Sequence, residues 1–275
     1  MVMLRDLLVH VDSSQAGRNR VQLAAELAGR MGARLTGIHV TPPVDVPPLY
    51  KPSRIAEVGA HLEADLVVDA EGSAIVFREA AMARLADTAW LVIEGDVVEG
   101  ITREARYADL VIVGQYEWQG SVETHPLPVA HSLVIQCGRP VLVVPATASL
   151  NPMANAIVAW DGSREAVRAI HDALPLLQLA RSTTLLTMRT SAPDHSQTEA
   201  AKMIAHLAHH GIKAEIDEQV VSGHEHQLLQ QRIELGNYDL LVMGGYSHRR
   251  WVEFLFGGAT QAILLASRTP VLVSH

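Results

Sequence analysis

The chain has 275 residues, 48% hydrophobic and 19% charged, enough to bury the core of one or two soluble globular domains. Its formal net charge of −8 argues against broad binding to nucleic acid or anionic membranes, and no apolar run approaches the ~20 residues of a membrane span. A single cysteine, Cys137, excludes an intramolecular disulfide framework and suits a reducing cytoplasm, and the N-terminus enters a strand-like run without the pattern of a signal peptide.

Apolar periodicity gives the elements in order. Residues 4–11 read as a strand ending at Asp12, and 15–31 as a helix with Ser13 or Ser14 as N-cap and Gly32 as its stop. A strand follows at 34–40. Residues 41–53 hold five prolines, which remove backbone donors and prevent regular structure. Residues 53–85 are mainly helical, with a break expected around Gly72. A strand at 88–94, a short helix at 97–106, a strand at 109–114, a helix at 125–136 and a strand at 140–144 complete the first half. The pattern then restarts: strand 156–160, helix 164–179, strand 183–189, helix 197–210, strand 214–220, helix 224–235, strand 240–244, helix 259–266 and strand 270–274.

The two halves are copies of one unit. The run from Val9 to Asp12 matches that from Val158 to Asp161, with the aspartates 149 residues apart. Asp109 to Gly114 matches Asp239 to Gly244, and the Pro-Val-Leu-Val run beginning at Pro140 matches that beginning at Pro270, both 130 residues apart. The first copy therefore carries 19 extra residues, which the proline-rich segment and the helix after it absorb. Strands alternating with helices predict an α/β class: two flavodoxin-like or Rossmann-like domains, each a five-stranded parallel sheet covered by helices on both faces. The expected domains are residues 1–146 and 154–275, arranged as an intramolecular pseudo-dimer, with further homodimerisation left open.

Chemistry concentrates between Met243 and Thr260, where Gly244-Gly245 and Gly257-Gly258 bracket a polar, basic loop between a strand end and a helix start. Such a corner presents free backbone N–H groups to an anion, and glycine lets a phosphate approach without a Cβ in the way. The remaining candidates sit where open α/β sheets bind ligands, at the C-terminal ends of parallel strands.

The repeat, the aspartate after each first strand and the Pro-Val-Leu-Val endings resemble the universal stress protein family in its tandem two-domain form, over essentially the whole chain. The family's nucleotide signature is Gly-x2-Gly-x9-Gly-[Ser/Thr]; here it reads Gly244-x2-Ser247-x9-Gly257-Gly258, with serine at the second glycine and glycine at the last position. The resemblance implies an adenine nucleotide, ATP or a relative, with Mg accompanying it. Asp161 would meet the ribose or adenine side, Ala159 would lie beside the base and Met188 would line the adenine pocket. Met243 and Gly244 would lie under the nucleotide, and Ser247, Gly257, Gly258, Ala259 and Thr260 would hold phosphates. In the first half, Glu117, Leu127, Pro128, Val129 and Ala130 stand opposite Ser247 and the four residues from Gly257 to Thr260. Carboxylates at Glu117 and Glu123 oppose phosphate, and Pro128 lacks an N–H, so that half is expected not to bind ATP in the family's way.

The same residues have plainer readings. Asp12 and Asp161 are also good helix N-caps, and Arg249 and Arg250 suit a solvated loop. His206, His209 and His210 share a helix face with spacing that suits a metal, but no cysteine or acidic partner completes a set, so no metal ligand is assigned. No nucleophile–base pair stands out, so no catalytic residue is assigned and at most weak ATP hydrolysis is expected. The reading is a cytoplasmic stress-response protein biased by a bound nucleotide. The alternatives are a small-ligand or protein-interaction module with both sites degenerate, and a zinc-binding stress protein.

Overall fold

The computed structural model describes residues 3–43, 52–115, 129–147, 153–189, 196–220, 225–246 and 258–275. In the first half the order is β1 (Asp6–His10), α1 (Gln15–Met31), β2 (Arg34–Thr41), α2 (Pro52–Phe77), a π-helical turn (Arg78–Met82), β3 (Thr88–Glu94), α3 (Val97–Ala105), β4 (Leu110–Gly114), α4 (Val129–Gln136) and β5 (Val141–Val144). The second half follows with β6 (Asn155–Trp160), α5 (Arg164–Leu177), β7 (Ser182–Arg189), α6 (Ser196–His209), β8 (Ala214–Val220), α7 (Glu225–Leu235), β9 (Leu240–Gly244), α8 (Gly258–Ala266) and β10 (Val271–Ser274).

The strands form one ten-stranded sheet in the order β3-β2-β1-β4-β5-β10-β9-β6-β7-β8. Within each half all pairings are parallel, and the α/β class read from the sequence holds. The two halves are not separate sheets: β5 and β10 pair antiparallel, with Val143 opposite Val271, Leu142 opposite Leu272 and Val141 opposite Val273.

Alternation along the strands divides the core between the two faces. Leu7 and Val9 pack with α1, while Leu8 between them packs with α3 and α4 residues such as Ile101 and Leu133. In the second half Val158 faces α5 and α6, and Ile157 and Ala159 face α7 and α8. Helices thus cover both faces, which explains why β1, β4, β6 and β9 read as nearly continuous apolar runs.

The repeat is visible in its joints. Asp109 accepts from the backbone N–H of Arg5 at 2.7 Å and of Asp6 at 3.1 Å; its counterpart Asp239 accepts from Ala154 at 2.9 Å and Asn155 at 2.7 Å. Ser14 caps α1 by accepting from Gly17 N–H, and Ser163 caps α5 by accepting from Ala166 N–H.

One sequence expectation fails. The helix does not break at Gly72; α2 runs through it to Phe77 and loosens only at the π-helical turn. Close approach explains the glycine: a Cβ at residue 72 would stand 2.8 Å from Ser13 Cβ, and the neighbouring Asp69 accepts from Ser13 N–H at 3.2 Å. The residue serves the packing of α2 on the β1–α1 turn rather than a helix end. Of the proline-rich segment, residues 44–51 lie outside the described residues.

Candidate functional site

Strand order reverses next to β1 in the first half and next to β6 in the second, and the crevice at such a switch point is where doubly wound sheets take ligands. In the first half the β1–β4 switch point is occupied by the chain itself. Arg20, only 3% exposed, projects from α1 across the strand ends. Its Nε donates to the His10 carbonyl at 2.7 Å, and its guanidinium donates to Asp12 Oδ2 at 2.5 Å. A Cβ on Gly114 would stand 2.1 Å from the same guanidinium, so β4 needs glycine there to admit it.

This ion pair sets the local charges. Burial opposes ionisation of Asp12, but the Arg20 guanidinium and the Ser14 hydroxyl and N–H outweigh it and hold the carboxyl at about 2. Burial and the Arg20 charge together hold His10 down to about 3, so its imidazole is neutral. His39, 3% exposed, must donate from Nδ1 to the Val11 carbonyl at 3.1 Å because a carbonyl can only accept. Sequence reasoning missed Arg20. The available signal was a basic residue beside Val21, on a helix whose apolar positions face the sheet.

In the second half the same construction lacks the arginine. Counting from the paired aspartates, Ala169 stands at the place of Arg20, and it is fully buried. Asp161 Oδ1 accepts from Ser163 N–H at 2.9 Å, which fixes the turn into α5, and Gly162 takes a φ of 74° that L side chains disfavour. Ala159 at the end of β6 and Met243 at the end of β9 belong to one apolar cluster on the α7–α8 side, with Met188 on β7 and Tyr246 packed against it. Registers place these strand ends on one edge: Ala159 lies one residue beyond the Val158–Val242 pair, and Met188 two beyond Leu186, the partner of Ala159.

Gly244 has a packing reason of its own. A Cβ there would stand 2.6 Å from the backbone of both Glu165 and Ala166, so the glycine lets the α5 N-terminus sit directly on β9. Thr260, in the first turn of α8, is 7% exposed and accepts from Tyr246 N–H at 3.4 Å, which ties the helix start to the strand end. Gly258 and Ala259 form the first residues of α8, so the helix N-terminus begins at the last glycine of the second pair. Ser247 and Gly257 lie outside the described residues, as do Glu117, Glu123, Leu127, Pro128, Arg249 and Arg250.

Tyr246 joins this corner to the other half. Its φ of 56° is left-handed, a conformation costly for an aromatic residue. Its hydroxyl is hydrogen-bonded to His131 Nδ1 on α4, and the two rings meet edge to face with centroids 4.9 Å apart. Burial pushes the Tyr246 hydroxyl well above its usual range and pulls His131 below its own, which keeps both groups neutral. Gln115, directly after β4, donates across the seam to the carbonyls of Leu264 at 2.8 Å and Ser267 at 3.0 Å, closing the far end of α8. Cys137 is buried, and burial raises its thiol above the ordinary range, as in an inert core cysteine.

No helix among the described residues is long and apolar enough to cross a membrane. No curated protein sequence gives a significant match. The fold is shared with a universal stress protein from Archaeoglobus fulgidus DSM 4304, at 15% identity and a TM-score of 0.70, covering 98% of this chain and 95% of that one. It is also shared with a Pseudomonas aeruginosa UCBPP-PA14 protein described in the same terms, at 16% identity and a TM-score of 0.56, covering 98% and 93%. The model of the universal stress protein family matches residues 3–145 and again 153–275, so that each of the two copies, the one holding Arg20 and the one holding Ala169, is a unit of that family and the chain belongs to it.

Proposed function

We propose that this protein binds ATP or a related adenine nucleotide in its second half, in the crevice between β6 and β9, and acts in stress response through the conformations or partners that the nucleotide favours. The observation that carries the reading is the difference between the two switch points. In the first, the Arg20 guanidinium occupies the strand ends beside Asp12; in the second, Ala169 replaces it, and apolar Ala159, Met188 and Met243 cluster at the strand ends where Asp161 follows β6.

The division of labour follows from chemistry. Ala159, Met188 and Met243 offer an apolar wall to a base. Asp161, a poor neighbour for phosphates, suits sugar hydroxyls. The N-terminus of α8 and the glycine-rich chain before it suit the phosphates, with Ser247, Gly257 and Thr260 as polar contacts and Mg as counter-ion. In this reading the first half is a degenerate copy, the β5–β10 seam makes the halves a pseudo-dimer, and the nucleotide is a ligand rather than a substrate.

Isothermal titration of full-length protein with MgATP tests this. Saturable binding of one nucleotide is expected, weakened on the order of tenfold or more by Gly257→Asp, which sets a carboxylate against phosphate. Equal and negligible heats for wild type and variant would remove the proposal in favour of a small-ligand or interaction module.

A further inference from the structure

The outer face of α2 shows water a set of side chains that a helix packed on a sheet has no need to expose. Ser73, Val76 and Phe77, none more than 2% exposed, fix the side turned to the sheet. At about 100° per residue, Ala64, Val67, Val68, Glu71, Ile75 and Arg78 fall within roughly 60° of the opposite direction. That face of a surface helix is ordinarily polar. Here Val67 is 57%, Val68 68% and Ile75 47% exposed, with Ala64 exposed among them. Met82, at the end of the π-helical turn, continues the run at 41%. The counterpart of α2 in the second half is α6, with 14 residues against 26, and among the described residues it carries no exposed large apolar side chain. The stripe therefore belongs to the first copy alone, and the packing of the repeat does not call for it.

Two charges on the stripe decide what covers it. Glu71 stands four residues before Ile75 and Arg78 three after it, both exposed and opposite in sign. A two-fold axis through Ile75 reverses the helix, so Glu71 of each copy meets Arg78 of the other. Ile75 then meets its own equivalent, and Val68 lies toward Met82 of the other copy. Glu79, beside Arg78, is held by Arg18 at 2.6 Å and does not cancel the cation. An axis through Glu71 would instead press two carboxylates together, so Coulomb repulsion disfavours that register. The face is thus complementary to itself in one register.

We propose that the outer face of α2 is a homodimerisation surface, on which a second copy of this chain pairs antiparallel about Ile75, with two reciprocal Glu71–Arg78 contacts. The contact is small, which places it in the weak, reversible class of interfaces. β1, β4 and β5 separate α2, which packs on β2 and Trp90 of β3, from the β6–β9 crevice, so the pairing is independent of the nucleotide proposal.

Sedimentation velocity of full-length protein across the micromolar range tests this. A reversible monomer–dimer equilibrium is expected. Ile75→Asp sets two carboxylates on the axis and should weaken it on the order of a hundredfold. Glu71→Arg and Arg78→Glu should each weaken it about tenfold, while the double reversal restores it. These side chains face solvent in the monomer, so every variant should keep the wild-type Tm at a dilution where wild type is monomeric. A chain that stays monomeric at every concentration would overturn the proposal and leave the stripe to another protein. A dimer indifferent to Ile75→Asp, or a double reversal no tighter than the single ones, would overturn it as well.

Discussion

Leu142 and Leu272 occupy equivalent places in the two repeats, 130 residues apart, and are also each other's partners across the antiparallel seam. Val141 and Val143 pair reciprocally with Val273 and Val271, so an approximate two-fold axis passes between the leucines. Both side chains are fully buried. Leu142→Ala and Leu272→Ala are each expected to cost about 2–5 kcal/mol. Because the residues touch the same space, the double variant should depart from additivity by at least about 0.5 kcal/mol. Urea unfolding of the four proteins closes the cycle; strict additivity would mean that the leucines do not share a core.

Arg20 is expected to be a stability residue of the first half. Arg20→Met leaves the Asp12 carboxylate beside a hydrophobic side chain, and breaking such a pair from one side costs on the order of 3 kcal/mol. Asp12 keeps a third of its side chain in solvent, which places the cost at the lower end of the range. Arg20→Met with Asp12→Asn should recover part of the loss. Chemical denaturation at neutral pH measures both.

Acid should act on the first half in two stages. His10 has its folded pKa depressed from 6.5 to about 3, so its contribution is present above pH 6.5 and fades as the unfolded chain takes up a proton between those values. Asp12, depressed from 3.8 to about 2, keeps its contribution above 3.8 and loses it only as pH falls toward 2. The urea midpoint of wild type should fall between pH 7 and pH 4 more steeply than that of His10→Asn. Parallel profiles would show that His10 titrates freely in the folded protein.

Gly72→Ala tests whether packing or propensity decides at a helical glycine. On propensity alone alanine adds about 1 kcal/mol to an α-helix. The new Cβ would stand 2.8 Å from Ser13 Cβ, so α2 must shift from the β1–α1 turn. Net destabilisation is expected, and a rise in Tm would show that α2 gives way without cost.

Tyr246→Phe removes the hydroxyl that is hydrogen-bonded to His131 Nδ1 across the halves. A loss of about 1–2 kcal/mol is expected from the ring nitrogen left without its partner. Since Tyr246 is the last described residue before the glycine-rich loop, the variant should also weaken MgATP binding if that loop holds phosphate. Unfolding and titration of one preparation separate the two effects.

Much of this architecture was legible because burial writes itself into periodicity. Helix 15–31 and strands 88–94, 214–220 and 240–244 lie at the boundaries that the sequence suggested. Ser14, Gly32 and the paired aspartates announced their turns by residue type. Three features were not legible, for physical reasons. Gly72 reads as a breaker locally but answers a contact 59 residues away with Ser13. Arg20 resembles any surface arginine until β4 is laid beside α1. The His171 ring reaches those of His206 and His210 only once β7 has carried the chain from α5 to α6.

The seam has a bearing on how such a chain can change over time. Each of β5 and β10 would be an unprotected border if its half were cut loose, inviting promiscuous strand addition. Fusion in one polypeptide keeps a matching neighbour always at hand, whatever its concentration in the cell. One copy is then free to diverge from the other, as Arg20 opposite Ala169 exemplifies, while still serving as its permanent splint.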